Sequence, residues 1–215
     1  MAIKGILFDL DGTLCNTLLD LAAATNRVIT AHGFEAKPVE NFKQYVGNGA
    51  KTQLKRAIGV EVSEELFETI HREYIADYGK NYLDQTCAYP GVEEMVSALY
   101  QKGIRMGVVT NKPQQMATDI VKAIFGEQIP QVWGNTPEFP LKPDPALPLH
   151  VMNLLGLTPE ETLFVGDSGV DMQTGVNCGM TAVGVTWGFR SSEELKKAGA
   201  NHLIETPAQL LDLLD

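Results

Sequence analysis

Cysteine is scarce in this chain: Cys15, Cys87 and Cys178 are its only three. Their number is odd, their spacing is wide and no CxxC pair occurs, so neither a disulfide framework nor a zinc site is supported. Three free thiols in a reducing compartment is the simplest reading. Histidine is scarce too. His32, His71, His150 and His202 show neither HExxH nor HxH spacing and read as surface or packing residues. Positive charge is in deficit: 17 Lys and Arg stand against 27 Asp and Glu, a net charge of -10. Nucleic acid and anionic membrane want clustered cations, so neither partner is expected. An anionic small molecule stays open, because a metal ion or a few placed cations reverse a local field. Long apolar runs are missing, and none approaches the ~18 residues of a membrane helix. The opening MAIKGILFDLDGTL puts Asp9 and Asp11 where a signal peptide needs its apolar centre, so a cytoplasmic protein is expected.

What is present is ordinary globular material, 44% hydrophobic and 20% charged over 215 residues, enough for one to two domains. Short apolar runs alternate with helical patterns. Ile3–Asp9, Arg105–Asn111 and Glu161–Asp167 read as strands, and Thr181–Trp187 and His202–Glu205 as shorter ones. Between them, Val92–Lys102 follows Pro90-Gly91 and stops at Gly103, and Pro113 opens a helix running to about Phe125. Ser191 or Ser192 caps a helix that stops at Gly199, and Thr206-Pro207 opens the last one. This alternation predicts an α/β fold, a Rossmann-like, doubly wound parallel sheet covered on both faces. One region departs from it. Leu18–His32 reads as a helix stopped by Gly33, and Leu66, Ile70, Tyr74 and Tyr78 recur every fourth residue after the capping signal at Ser63. Residues 16–87 are therefore expected to form an all-helical insertion, with 1–15 and 88–215 making the α/β core.

Three strands end alike, in Phe8-Asp9, Thr110-Asn111 and Gly166-Asp167. Ligands of open parallel sheets bind at the carboxyl ends of the strands, so these side chains should converge. Asp9 and Asp11, two residues apart, resist joint ionisation unless a cation sits between them, and Mg²⁺ is the natural hard ion. An EF-hand reading of Asp9-Leu10-Asp11-Gly12 fails, because Leu14 occupies the glycine position and Asp20 the bidentate glutamate position. Gly166-Asp167-Ser168-Gly169-Val170-Asp171 opens another helix, with Asp171 on its first turn. Its GDSG is also a serine-protease fragment, but those proteases are usually disulfide-bonded β-barrels. GNGAKT at Gly47–Thr52 lacks the spacing of a phosphate loop and follows no strand. Lys142 sits in the stiff Leu141-Lys142-Pro143-Asp144-Pro145 loop before a helix that ends near Leu155.

With these four segments in order, the sequence resembles the haloacid dehalogenase-like hydrolases. Asp9–Leu14 matches the family's first motif, Thr110-Asn111 the second, Lys142 with its Pro-Asp-Pro tail the third and Gly166–Asp171 the fourth. The helical insertion resembles the family's small helical cap. Val46–Lys51, Arg56-Ala57-Ile58 and Trp187–Arg190 resemble the phosphoglycolate phosphatase subgroup, although Cys15-Asn16-Thr17 departs from that subgroup's usual Val-Asp-Ser. The resemblance implies hydrolysis of a small phosphate ester, with Asp9 the nucleophile that forms an aspartyl-phosphate and Asp11 the general acid and base. It implies Mg²⁺ held by Asp9, the backbone carbonyl of Asp11 and Asp167, with Asp171 behind them. Thr110 and Asn111 would bind the phosphoryl oxygens and Lys142 would offset charge. A carboxylate on the substrate would meet Gly47, Asn48 and the start of the following helix, with Lys51 or Arg56 as its cation. A phosphomutase or pyrophosphatase of the same family and a receiver-like binding protein remain the alternatives. The oligomeric state, monomer or dimer, is not indicated.

Overall fold

The computed structural model describes residues 2–214. In chain order its strands are β1 (Gly5–Phe8), β2 (Cys15–Asn16), β3 (Cys87–Ala88), β4 (Arg105–Pro113), β5 (Gln131–Asn135), β6 (Thr162–Gly166), β7 (Thr181–Val185) and β8 (His202–Ile204). The α-helices are α1 (Leu18–Ala31), α2 (Phe42–Tyr45), α3 (Ala50–Ile58), α4 (Glu64–Asn81), α5 (Val92–Gln101), α6 (Gln114–Phe125), α7 (Ala146–Leu154), α8 (Gly169–Cys178) and α9 (Ser192–Lys197). Six strands form one parallel sheet in the order β5-β4-β1-β6-β7-β8. The chain starts in the middle, at β1, and later winds outward on both sides, as a doubly wound sheet does.

Every residue of β1 and of β6 is buried, which is why both read as unbroken apolar runs rather than as alternating ones. Alternation still sorts side chains between the two faces. Ile6 and Phe8 join Val92 and Val96 of α5 and Ile120 of α6 in one cluster. Leu7 joins Val151 of α7 and Cys178 of α8 in another. The register places Phe8 level with Val108 on one neighbour and Val165 on the other. β1 and β6 therefore end side by side while β4 runs on past them, and the residues beyond this level meet at one edge of the sheet.

Three features differ from the sequence expectation. β5 is an additional strand. It pairs only with β4, at the sheet's edge, and all but one of its residues are exposed or half-buried. Its apolar signal is accordingly thin. β2 and β3 form a two-residue antiparallel ribbon, Cys15 opposite Ala88 and Asn16 opposite Cys87. The last segment, Pro207–Leu213, is a 3₁₀ helix rather than an α-helix.

The stretch between β2 and β3 is helical throughout its regular elements. Ser63 caps α4 by accepting from the Leu66 amide at 3.3 Å. Leu21 and Val28 of α1, Leu54 of α3 and Ile70 and Tyr74 of α4 fill a separate hydrophobic cluster. Met116 of α6 and Phe189 reach into that cluster from the sheet side, so the insertion is docked over the strand ends. Its exit is fastened by Asp20. This carboxylate, 3% exposed, accepts the amides of Gln85 and Thr86 and the Thr86 hydroxyl at 2.8–3.1 Å. Replacing Asp20 by alanine leaves two amides without acceptors, and stability should fall by about 2–4 kcal/mol. Urea unfolding should show a lower midpoint at unchanged slope, with Asp20→Asn recovering part of the loss.

Candidate active site

Asp9 follows β1 directly and extends its ladder, donating its amide to the Val165 carbonyl at 2.9 Å. The chain then turns back tightly. The Leu10 carbonyl receives the amides of Thr13, Leu14 and Cys15 at 3.0–3.3 Å. Gly12 holds φ at 86°, in the left-handed region, and a side chain there would strike the Asp167 carboxylate. Gly188 leaves no room either, since a Cβ would collide with Asp167 and the Gly12 carbonyl. Asp167 is thus packed between two glycines, and its Oδ2 accepts the Phe189 amide at 2.7 Å.

Lys142 enters from the loop before α7. Its main chain is clamped by Asn111, whose Oδ1 accepts the Lys142 amide at 2.8 Å and whose Nδ2 donates to the Lys142 carbonyl at 3.2 Å. The same Nδ2 donates to the Gly47 carbonyl of the insertion at 3.0 Å. The Asn111 side chain is therefore a tie between three segments. The Lys142 ammonium, its side chain 2% exposed, donates to Asp171 Oδ1 at 2.7 Å and lies 2.9 Å from Asp9 Oδ1. The contact with Asp9 is an ion pair off the line of a hydrogen bond, and Asp9 Oδ1 stays buried without a hydrogen-bond partner. The second oxygen of Asp171 accepts the Ser168 amide and hydroxyl at 3.1 and 2.6 Å, closing a capping box at the start of α8.

Asp9, Asp167 and Asp171 each bring a carboxylate oxygen within 4.8 Å of the others, and all three residues are buried. Burial, followed by the charge of Asp171, lifts the Asp9 carboxyl from 3.8 to about 6, against the pull of Lys142. Burial and the neighbouring Asp171 and Asp9 lift Asp167 well above the usual carboxylate range. Burial would depress the Lys142 ammonium, but Asp171 and Asp9 outweigh it and hold it above its ordinary value. Such a cluster, three buried carboxylates with one ammonium paired to two of them, is suited to a hard divalent cation.

On the other side of Asp9 lies a cavity of about 40 Å³. Asp11 and Thr110 line it from the sheet, Gly47, Ala50 and Gln53 from the insertion. Tyr74 and Tyr78, expected as core, are buried as expected, and they also form part of this wall. Their rings stack at 5.6 Å, and Gln53 donates to the Tyr74 hydroxyl at 3.2 Å.

The cavity also holds a residue that the sequence analysis passed over. Lys112 sits two positions beyond Thr110 on β4, where the register with β5 is irregular, and lines the cavity with it. Its ammonium, the side chain 1% exposed, pairs with Asp11 Oδ1 at 2.9 Å and donates to the Tyr78 hydroxyl. Its place directly after Thr110-Asn111, at the edge of the sheet where ligands gather, is the signal the sequence carries. The expected cations lie elsewhere. Lys51 pairs with Glu68 at 2.6 Å, its side chain 55% exposed. Helical phase is the reason: Ala50 and Gln53, three apart on α3, face the cavity, while Lys51 and Lys55, four apart, share the outer surface. Arg56 donates to the Gln44 and Tyr45 carbonyls at 2.9 and 3.1 Å, where it braces the loop carrying Gly47. Asn48 lines a separate cleft beside Ser168 and Arg190.

Comparison with known proteins places this geometry. Residues 6–185 match the family model described as haloacid dehalogenase-like hydrolase. A phosphoglycolate phosphatase of Pseudomonas putida is 32% identical over 212 residues, covering 96% of this chain and 78% of that one. An N-acetylmuramic acid 6-phosphate phosphatase of Pseudomonas aeruginosa is 30% identical over 217 residues, covering 100% and 96%. The crystal structure of a predicted phosphoglycolate phosphatase from Haemophilus somnus superposes with a TM-score of 0.90 at 28% identity, over 99% of this chain and 98% of that one. With its strand-end carboxylates, its clamped lysine and its helical insertion, the chain belongs to the haloacid dehalogenase-like hydrolases.

Proposed function

We propose that this chain is a Mg²⁺-dependent phosphatase that hydrolyses 2-phosphoglycolate through an aspartyl-phosphate on Asp9, with residues 16–87 acting as a cap over the sheet. The observation that carries the reading is the position of Asp9. It stands between the buried acidic cluster and a small cavity lined by a second carboxylate, Asp11. A nucleophile needs an oxygen facing the substrate and an acid within reach of the leaving oxygen, and two carboxylates lining one cavity support that reading.

Asp9 attacks phosphorus and the P–O ester bond breaks. Asp11 gives its proton to the leaving oxygen, then takes one from the water that hydrolyses the aspartyl-phosphate. Lys142 offsets the charge gathered between Asp9 and the phosphoryl group, and Thr110 supplies a hydroxyl from β4. Asn111 positions Lys142 through its two bonds to that residue's main chain. Asp9, Asp167 and the backbone carbonyl of Asp11 would hold Mg²⁺, with Asp171 behind them. When bound, the ion screens the carboxylates from one another and neutralises phosphoryl oxygens.

The cavity supports a small leaving group. At about 40 Å³ it has room for a few water-sized groups, on a scale where one water needs roughly 10–15 Å³. The phosphoryl group has to share that space, which favours a remainder as short as glycolate, a methylene and a carboxylate, over a sugar. A panel of 2-phosphoglycolate, N-acetylmuramic acid 6-phosphate, a hexose phosphate and pyrophosphate, compared by kcat/KM with release of free phosphate, tests this. 2-Phosphoglycolate should lead. A sugar phosphate or pyrophosphate in front, or a phosphate moved rather than released, would replace the substrate assignment.

Asp9→Asn keeps shape and polarity but cannot attack phosphorus, so kcat should fall by ~10³ or more with the fold retained. Trapping of phosphorylated protein in acid-quenched wild type, and its absence in the variant, is the matching readout. The metal-free protein should also reveal the crowded carboxylates. Because the folded-state Asp9 carboxyl is raised from 3.8 to about 6, its ionisation costs stability that is absent below 3.8 and fully felt above about 6. Mg²⁺ relieves that cost. Its gain in Tm should be larger at about pH 8 than at about pH 5, and equal gains would remove the ion from this cluster.

A further inference from the structure

We propose that Lys112 is the specificity-determining residue of the site and that it reads a carboxylate on the leaving group. The inference deepens the phosphatase reading above and rests on it.

The protein has two buried lysines at this sheet edge. Lys142 serves the nucleophile side through Asp9 and Asp171. Lys112 stands on the other side, at Asp11, and it is the one Lys or Arg among the described residues that lines the cavity. Burying a lysine is costly unless it is paired, and Lys112 is only partly provided for. Its ammonium carries three donors. Asp11 and the Tyr78 hydroxyl accept two of them, and the Tyr78 ring lies 4.7 Å away. The third donor has no acceptor among the described residues.

The chemistry of the ester fixes where a carboxylate reader must be. In 2-phosphoglycolate one methylene separates the ester oxygen from the carboxylate carbon, so standard bond lengths put the carboxylate oxygens about 3 Å from the ester oxygen. The acid that protonates the ester oxygen sits within hydrogen-bond reach of it. A cation for the carboxylate must then lie beside that acid. Lys112 Nζ is 2.9 Å from Asp11 Oδ1, so one substrate can engage both groups at once. Lys51 and Arg56, tied to Glu68 and to the α2 carbonyls, cannot.

The opposite wall adds to the effect. α3 begins at the cavity with Gly49 and Ala50, and no side chain caps its first amides. A helix N-terminus of this kind favours an anion, so it acts with Lys112 against the negative charge of Asp9 and Asp11. The insertion supplies this wall and the Tyr78 hydroxyl, while the sheet supplies Lys112.

The competing role for Lys112 is to position Asp11 alone, and a pair of substrates separates the two. Wild type and Lys112→Met are compared on 2-phosphoglycolate and on ethyl phosphate, which has a methyl group in place of the carboxylate. Wild type should prefer 2-phosphoglycolate. In the variant the ratio of the two kcat/KM values should collapse by about 10- to 100-fold, the worth of one hydrogen bond to a charged group, mostly through KM for 2-phosphoglycolate. If both esters fall by the same factor, Lys112 serves Asp11 and the inference is wrong, with the substrate assignment untouched. If wild type shows no preference for the carboxylated ester, the substrate assignment itself fails and the inference with it. Lys112→Gln provides the same readout should methionine prevent folding, because its amide still donates to Asp11 or Tyr78 while the charge is gone.

Discussion

Three buried carboxylates share a single ammonium at the end of this sheet, and the site is built around that imbalance. Lys142 reaches Asp9 and Asp171 but makes no pair with Asp167. Left alone, such a group would take up protons rather than stay ionised, as the raised Asp9 and Asp167 carboxyls indicate. The backbone is shaped to hold the acids this close. Gly12, Gly166 and Gly188 come from three separate strand ends, and a side chain at any of them would collide with Asp167 or Asp171. An arrangement that is unfavourable when empty and clears its own space is one that a cation completes.

Much of this was legible in the sequence because it lies on strand ends. A buried central strand writes itself as an apolar run, and the residue that breaks the run marks the edge where ligands gather. Asp9, Thr110 and Asp167 stand out for that reason, and so does the doubly wound order. The missing parts share a different cause. β5 pairs along one side only and is half-exposed, so its five residues carry neither a continuous apolar run nor a clean alternation. The phase of α3 decides that Ala50 and Gln53 face inward and Lys51 outward, and a reading based on loop composition does not fix that phase.

Lys112 carries no mark of burial in the sequence. Lysines are mostly solvated, and a lysine after an apolar strand reads naturally as the point where the chain meets water. Here β4 runs on through Pro113, and Lys112 is still inside the protein. Tyr74 and Tyr78 show the same overlap from the other direction. Their four-residue spacing marks a buried face, and a buried face can also be the wall of a site.

The two lysines divide the site into halves that differ in how they are assembled. The phosphoryl half draws Asp9, Asp167 and Lys142 from strand ends and loops and Asp171 from the first turn of α8, all outside the insertion. Asn111 holds Lys142 with two bonds and the insertion with one. Lifting the insertion would cost Asn111 its bond to Gly47 and leave the clamp on Lys142 in place. The leaving-group half is different, because Tyr78, Gln53 and the start of α3 all belong to the insertion. With the insertion raised, Lys112 would keep Asp11 and lose Tyr78. The phosphoryl half is thus preorganised outside the insertion, whereas the surface facing the remainder of the substrate is complete only when the insertion is seated. On this reading the chemistry rests on the sheet, whereas selectivity is shared, with Lys112 coming from β4 and the wall that faces it from the insertion.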